Sequence, residues 1–462
     1  LADHVAIIGN GVAGFGAARR LRREAPDLTI SLFSDEAHPF YLRSRLKDYL
    51  AGDIGHYEMI LESRNLYRRE GLNLFLQTPV AALDVAHREL VLAAGDRVRY
   101  DHLLLAMGCR PSGLPIPGAA AAGVFGLRTL DDAEAIRRWM AGRRRAVVLG
   151  ESMVSLHLAE GLARLGVEVD HLLMGEHFWP EVLTPDASNL VAEIMQRQNI
   201  RIRRRVTVEE ILKRNGSVCA VRLSGGDVID CDMVGHGCSF RPCTDLLRDT
   251  PVTCDGGVLV NDRLQTAVAG VFAAGDCASF GPDDPATAFY SRRQDAFVQG
   301  ETAAANILGR NERLTGLARH VRTDLFGLAV AALGQSNASD EDPAVTTVAS
   351  GHGTTYRRLV FKNDILVGAI LAGDVEHAAI LGRHIRRGGS RDQLEAGLMA
   401  ALAEDRPRLE HALHAPCPIC TDTVTVPAGT LIGSRFVCRS CSAKLRLIYA
   451  DGRPAVAPQD DV

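Results

Sequence analysis

Apolar residues in this chain fall into short solid runs separated by helical patterns. Val5-Ala6-Ile7-Ile8 is a run of four without a polar break, which predicts a strand buried on both faces, as in a parallel sheet. From Phe15 to Glu24 the apolar positions recur at helical spacing among arginines. Pro26-Asp27 ends that helix, and Leu28 to Phe33 predicts a second strand. The same order returns at Ala146 to Leu149, a helical stretch, and Val167 to Met174. Strand–helix–strand units of this kind predict an α/β fold with two Rossmann-like units. Toward the C-terminus the pattern changes. Gln393 to His414 predicts an amphipathic helix. Thr421 to Val437, with alternating Val and Thr and a Pro-Ala-Gly turn, predicts a β-hairpin, and Pro454 to Val462 is expected to be a disordered end.

The 462 residues exceed what one hydrophobic core organises, so two to four domains are expected. Apolar and charged fractions of 47% and 23% are ordinary for a globular protein. A net charge of -4 gives no global nucleic-acid signature. No apolar run approaches the roughly 18 residues of a membrane helix; Phe326 to Gly334 is far too short. The first residues carry no basic segment followed by a long apolar one, so no signal peptide is expected, and the missing initiator Met is consistent with trimming at the start. Eleven cysteines, four of them in two close pairs near the C-terminus, suggest a reducing, cytoplasmic setting and one metal site, not a disulfide framework.

Candidate chemistry begins with Gly9-Asn10-Gly11-Val12-Ala13-Gly14, directly after the first strand. A Gly-x-Gly-x-x-Gly turn lets backbone approach a pyrophosphate, which sits on the following helix N-terminus. It is answered far along the chain by Gly270-Val271-Phe272-Ala273-Ala274-Gly275-Asp276. A dinucleotide with a long polyol linker needs a second polar anchor, so the pair points to FAD. At the end of the second strand Asp35 and Glu36 are both available for the ribose hydroxyls; Glu36 fits better with the Pro and Tyr that follow. The mixed aromatic and basic run Tyr41 to Gly52 reads as the segment covering the flavin. Arg43 and Lys47 are its candidates for stabilising an anionic reduced ring.

These residues resemble the pyridine nucleotide–disulfide oxidoreductase superfamily, and within it the rubredoxin reductases and the flavin part of NADH-dependent nitrite reductase large subunits. Tyr100 to Pro111 resembles the strand that crosses back beneath the flavin, and Gly235 to Pro242 the Arg-Pro segment closing an inserted NAD domain. Thr266 to Ala278 resembles the stretch whose Gly-Asp holds the ribityl chain, which assigns that job to Asp276 beside Gly275. Gln299-Gly300 is expected to open the helix under the isoalloxazine, and Tyr356 to Asp374 resembles a small α/β domain. The resemblance implies further FAD contacts at Val80, Ala106, Gly108 and Arg110. It divides the chain into an FAD domain (1–112 and 241–315), an inserted NAD(P)-type domain (113–240), a small α/β domain (316–392), a helical connector (393–414) and a ribbon with its tail (415–462).

The second nucleotide turn departs from the pattern. In Gly150-Glu151-Ser152-Met153-Val154-Ser155 only the first glycine survives, and serine resists the dihedrals and close approaches that glycine allows. His157 stands where many relatives carry Glu, and Val167 to Met174 ends without a ribose acid. If NAD(P)H binds, the resemblance places it against Gly150, Ser152, Met153, Val154 and Gly237. No Cys precedes Cys109, and Cys238 and Cys243 form no Cys-x-x-Cys, so thiol chemistry at the flavin is not expected. Cys109 and Cys277 read as packed thiols.

Cys417-Pro418-Ile419-Cys420 and Cys438-Arg439-Ser440-Cys441 are separated by seventeen intervening residues, a spacing that suits a tetrahedral four-thiolate site. The module resembles a zinc ribbon. Zinc is favoured over iron because the knuckles and sparse aromatics depart from a rubredoxin pattern. Few local basic residues and an acidic tail argue against nucleic acid. The leading expectation is an FAD-dependent NAD(P)H oxidoreductase, passing hydride to flavin and electrons to a redox protein or metal-centre acceptor. The rival is a flavin-bearing interaction subunit of a larger redox complex that does not itself use NAD(P)H. A homo-oligomer is compatible with either; membrane insertion is not expected.

Overall fold

A computed structural model describes residues 3–237, 240–281, 293–314, 320–394, 412–427, 430, 435–438, 440–441, 443–450 and 453–458. They form two compact units, divided between Gly327 and Leu328.

The first unit holds two parallel sheets. In one, the strands run in the order Val271–Ala273, His102–Leu105, His4–Ile8, Thr29–Phe33, Asn73–Phe75. Val5 pairs with Ile30 on one side and His102 on the other, so Val5, Ala6, Ile7 and Ile8 are all buried. A solid apolar run is what a central parallel strand requires. The helix Val12–Glu24 follows and begins three residues before the apolar periodicity does, because the glycine turn itself supplies its first turn.

The other sheet runs Arg201–Arg203, Glu168–Leu172, Arg145–Leu149, Met233–His236, Val124–Gly126. Its turn leads into the helix Met153–Arg164. Each parallel sheet has a three-stranded antiparallel companion, Val80–Asp84 with Glu89–Leu92 and Arg97–Arg99, and Val208–Arg214 with Ser217–Leu223 and Val228–Asp230. The chain leaves the first fold through Cys109–Pro111 and returns through Phe240–Pro242, and these strands pair antiparallel. Arg110 and Arg241 stand opposite each other there, and Asp245 lies 3.9 and 3.0 Å from them.

The helix Arg293–Ile307 extends well before Gln299, so Gln299-Gly300 lies inside it and does not open it. It lies against the first helix: a Cβ on Gly300 would stand 2.2 Å from the Ala13 carbonyl oxygen.

In the second unit the strands Leu328–Gly334, Ile365–Ala372, Thr355–Lys362 and Val345–His352 form an antiparallel sheet, covered by the helix Ala378–Arg386. Beyond it three expectations change. The predicted connector lies mostly outside the described residues, but its end, Leu413–Pro416, is a strand paired with Thr423–Val426. The expected hairpin between the cysteine pairs is therefore not one hairpin, since Arg435–Val437 pairs onward with Lys444–Ala450. The last part is no loose tail up to Pro458: Arg453–Pro458 is a strand along Lys444–Ala450, its backbone satisfied by that ladder. Gln459 to Val462 lie outside the described residues. Among the described residues no helix is long and apolar enough to cross a membrane.

Candidate functional site

The first glycine turn is built for an anionic ligand. Gly9 has a φ of 111°, and a Cβ there would stand 2.1 Å from the Ala106 carbonyl oxygen, so no larger residue fits where two strand ends meet. Gly11 caps the helix with extended backbone and no side-chain cap, and the first turn carries no acid. A Cβ on Gly11 would meet nothing within 4 Å. Open space before an uncapped helix N-terminus favours a diphosphate, with Val12 and Ala13 offering the first backbone donors. Asn10 next to it is buried; its Oδ1 accepts from the Tyr67 hydroxyl at 2.9 Å, while its Nδ2 has no partner. A buried orphan donor marks a place for a missing acceptor. The residues present therefore fit the diphosphate of FAD.

A polar network joins this end to the far carboxylate. Glu36 accepts from Arg43 and from the Tyr41 hydroxyl, both at 2.5 Å. Arg43 also donates to the Arg128 carbonyl at 2.9 Å, and the Arg128 guanidinium donates to Asp276 Oδ2 at 2.9 Å. Burial pushes the Tyr41 phenol above its ordinary range, so it remains a neutral donor to Glu36. Asp276 Oδ2 also accepts from the Cys109 thiol at 3.2 Å. Burial first, then Asp276, pushes that thiol up; Cys277 is pushed up to about 12 by burial. Both are neutral packed thiols near pH 7, not nucleophiles. The Gly275 N–H donates to Gln299 Oε1 at 2.7 Å, which fixes the loop carrying Asp276.

Glu36, Arg43, Asp276 and the helix carrying Gln299 were expected from the sequence; Arg128 was not. Leu127-Arg128-Thr129 does precede a legible helix start, since Thr129 and Asp132 form a capping box. Ala106 and Gly108 follow the strand His102–Leu105 beside the network, and Val80 opens the antiparallel companion. Arg110 turns elsewhere: it is exposed and its Nε donates to Cys243 Sγ at 3.3 Å. Cys238 lies outside the described residues.

Lys47 is not brought into that network. Its ammonium is buried and donates to Glu160 at 2.6 Å and Asp324 at 3.3 Å. Glu160, 2% exposed, also accepts from Arg164 at 3.1 Å and from the Phe326 N–H at 2.9 Å. These groups line a cavity of about 670 Å³ together with Ser44, Arg322 and Thr323. His157 sits one turn before Glu160 and bonds Thr323 Oγ1 at 2.9 Å. Burial, and then Lys47, lowers its pKa to about 4, so it is neutral near pH 7.

At the second turn Ser152 adopts extended backbone (φ −73°) and caps its own helix by accepting from the Ser155 N–H, so the missing second glycine costs no strain. The Ser152 hydroxyl donates to the Gly237 carbonyl at 2.6 Å. Ser155 Oγ is committed to the carbonyls of Gly150 and Ser152 at 2.9 and 2.7 Å. In the first fold a Cβ at the corresponding Gly14 would stand 2.0 Å from the Gly9 carbonyl oxygen; here a side chain stands at that position. Helix and turn are less closely approached, but Met153 and Val154 still begin a helix aimed from the glycine turn.

In the second unit Cys417, Cys420, Cys438 and Cys441 bring their sulfurs within 4.8 Å of one another. The pairs 417–441 and 420–438 are 3.8 and 3.7 Å apart. A tetrahedron with metal–sulfur arms of about 2.3 Å has edges of about 3.8 Å, so the four thiols fit a metal ion.

Two parallel dinucleotide folds in one unit, one of them inserted through an antiparallel pair of crossing strands, define a flavin- and nicotinamide-type oxidoreductase architecture. A family model described as pyridine nucleotide-disulphide oxidoreductase matches residues 3–296, and one described as the rubredoxin NAD+ reductase C-terminal domain matches residues 324–389. The chain belongs to the pyridine nucleotide-disulphide oxidoreductase family. It is 32% identical over 279 residues to the ferredoxin–NAD(+) reductase component of the biphenyl dioxygenase system of Paraburkholderia xenovorans (strain LB400), covering 60% of this chain and 68% of that one. It is 28% identical over 371 residues to nitrite reductase [NAD(P)H] of Bacillus subtilis (strain 168), covering 80% of this chain but only 45% of that protein. The ferredoxin reductase for the CYP199A2 system from Rhodopseudomonas palustris superimposes with a TM-score of 0.78 at 26% identity, over 87% of this chain and all of that one.

Proposed function

We propose that the chain is an FAD-dependent NAD(P)H oxidoreductase that passes electrons to a protein or metal-centre acceptor without redox-active cysteines. The observation that carries this reading is the network from Glu36 through Arg43 and Arg128 to Asp276, beside an uncapped glycine turn. Bound FAD would supply hydride acceptance and one-electron release. The chain's own residues would do the rest. The first turn would take the diphosphate, Glu36 the ribose hydroxyls, and Asp276 the ribityl arm. Arg43 would bring a fixed positive charge close to the flavin, which favours its anionic reduced form. The neutral thiols of Cys109 and Cys277 would stay outside the chemistry. Relatives whose names specify ferredoxin or rubredoxin reductases support a small redox protein as acceptor. A cytoplasmic setting fits ten cysteines outside any disulfide among the described residues. The four-thiol site would hold zinc, as a structural element.

Anaerobic stopped-flow mixing with NADH and with NADPH tests this. Loss of the flavin band near its visible maximum is expected with at least one of them. A flavin that keeps its colour with both would sink the reading.

The second turn favours a rival on one point: Ser152 and Ser155 spend their hydroxyls on the protein's own carbonyls. On that reading the chain is a flavin-bearing subunit of a larger redox complex and leaves its second fold idle. Tight nucleotide binding by the isolated chain separates the two.

A further inference from the structure

We infer that Glu151 is the ribose reader of the second dinucleotide fold, and that it selects a nucleotide with a free adenosine 2′-hydroxyl over one carrying a 2′-phosphate. This rests on the reading that the second fold binds a nicotinamide dinucleotide.

Folds of this kind place an acid at the carboxyl end of the second strand to take the ribose hydroxyls. Here that strand, Glu168–Leu172, runs into Leu173-Met174-Gly175, with no acid at its end. Glu151 comes from the opposite side. It follows Gly150 in the turn, and its Oε1 accepts the Gly175 N–H at 2.5 Å. A carboxylate thus reaches the place the strand leaves empty. Gly175 permits this: a Cβ there would stand 3.0 Å from Glu151 Oε1. The Trp179 N–H donates to the Glu151 carbonyl at 2.7 Å, which holds the residue's backbone from the other direction. With Oε1 anchored, Oε2 has no protein partner among the described residues. It is the free acceptor a ribose diol requires. Met174 beside it is 74% exposed and offers unbranched apolar cover.

The charges around this carboxylate do not suit a phosphate. Arg205 is close, because its N–H donates to the Gly175 carbonyl at 3.0 Å. Its guanidinium is committed to Glu176 at 2.5 Å, and Arg204 faces the same carboxylate at 3.7 Å. Arg203 faces Asp170 at 3.6 Å. One acid, Glu176, therefore pairs with both of the nearest cations and leaves the Glu151 charge uncompensated. A 2′-phosphate would meet the Glu151 carboxylate at short range, where like charges repel, and would forfeit its hydrogen bond. Rejection by repulsion and by a lost bond is how polar sites discriminate.

The test titrates the purified flavoprotein calorimetrically with ADP-ribose and with 2′-phospho-ADP-ribose. Neither carries a nicotinamide ring, so binding is read without turnover. ADP-ribose is expected to bind at least about tenfold more tightly, the size of one hydrogen bond to a charged group. Glu151→Gln keeps the shape and an acceptor but removes the charge; it should weaken ADP-ribose and bring the two ligands within about threefold. Flavin content and circular dichroism report whether the variant is folded, and the wild-type ratio stands alone if it is not. Equal or tighter binding of 2′-phospho-ADP-ribose, lost in Arg205→Gln, would overturn the inference. If the flavin bleaches with a reduced nucleotide while the two probes bind alike, only this inference fails. If wild type binds neither probe and no reduced nucleotide bleaches the flavin, the nucleotide reading fails with it.

Discussion

Asp276 and Arg128 lie 148 residues apart in sequence and meet at 2.9 Å, so the protein's own cation fixes the far carboxylate. Asp276→Asn keeps the shape and removes the charge. It should weaken FAD retention by about tenfold or more, the worth of a charge-assisted hydrogen bond. Flavin per chain after gel filtration would report it, and undiminished flavin would deny Asp276 that role. A second residue-scale expectation concerns acid. Burial holds His157 and His171 near a pKa of about 4, below the ordinary 6.5. Between those values the unfolded chain takes up protons that the folded chain refuses. Stability should therefore be full above about pH 6.5 and decline as pH falls toward 4, by on the order of 3 kcal/mol for each histidine. Urea midpoints at pH 7 and pH 5 would show the decline, and His157→Asn should flatten part of it. Glu36 and Asp276 were legible from sequence because their motifs fix them against a glycine turn and a strand end. Arg128 and Glu160 were not, because each acquires its role from a partner far along the chain.

At the scale of elements, the helices Leu46–Ala51 and Met153–Arg164 are joined by the buried pair of Lys47 and Glu160. Lys47→Met should strand Glu160 with only Arg164 and one N–H for company. The expected cost is about 3 kcal/mol. Adding Glu160→Leu should recover most of it, since an apolar pair avoids desolvating two charges. A double-variant cycle in urea measures both; a single variant as stable as wild type would show the pair to be dispensable. The parallel strands of both folds were readable because solid apolar runs admit few other environments. The C-terminal strands were misjudged for a physical reason. Alternation sets which face of a strand is buried but leaves its partner open. Thr423–Val426 pairs backward with Leu413–Pro416, inside a stretch whose apolar spacing also suited a helix.

At the scale of the whole chain, the four-thiol cluster and the flavin network belong to different compact units. Purified protein should contain about one zinc per chain by elemental analysis. Stripping it with a strong chelator should loosen the strands around Cys417 and Cys438, seen as new protease sensitivity, and leave the flavin spectrum unchanged. Iron in that position, with its own visible bands, would instead make the module a relay. The inserted fold was expected from motif order, but not how its two ends meet. The strands Cys109–Pro111 and Phe240–Pro242 run side by side in opposite directions, so the whole intervening stretch departs and arrives at a single doorway. A segment with neighbouring ends behaves as a cassette. Exchanging everything beyond that doorway for the equivalent piece of another oxidoreductase would change which reductant the host accepts while leaving its yellow centre in place.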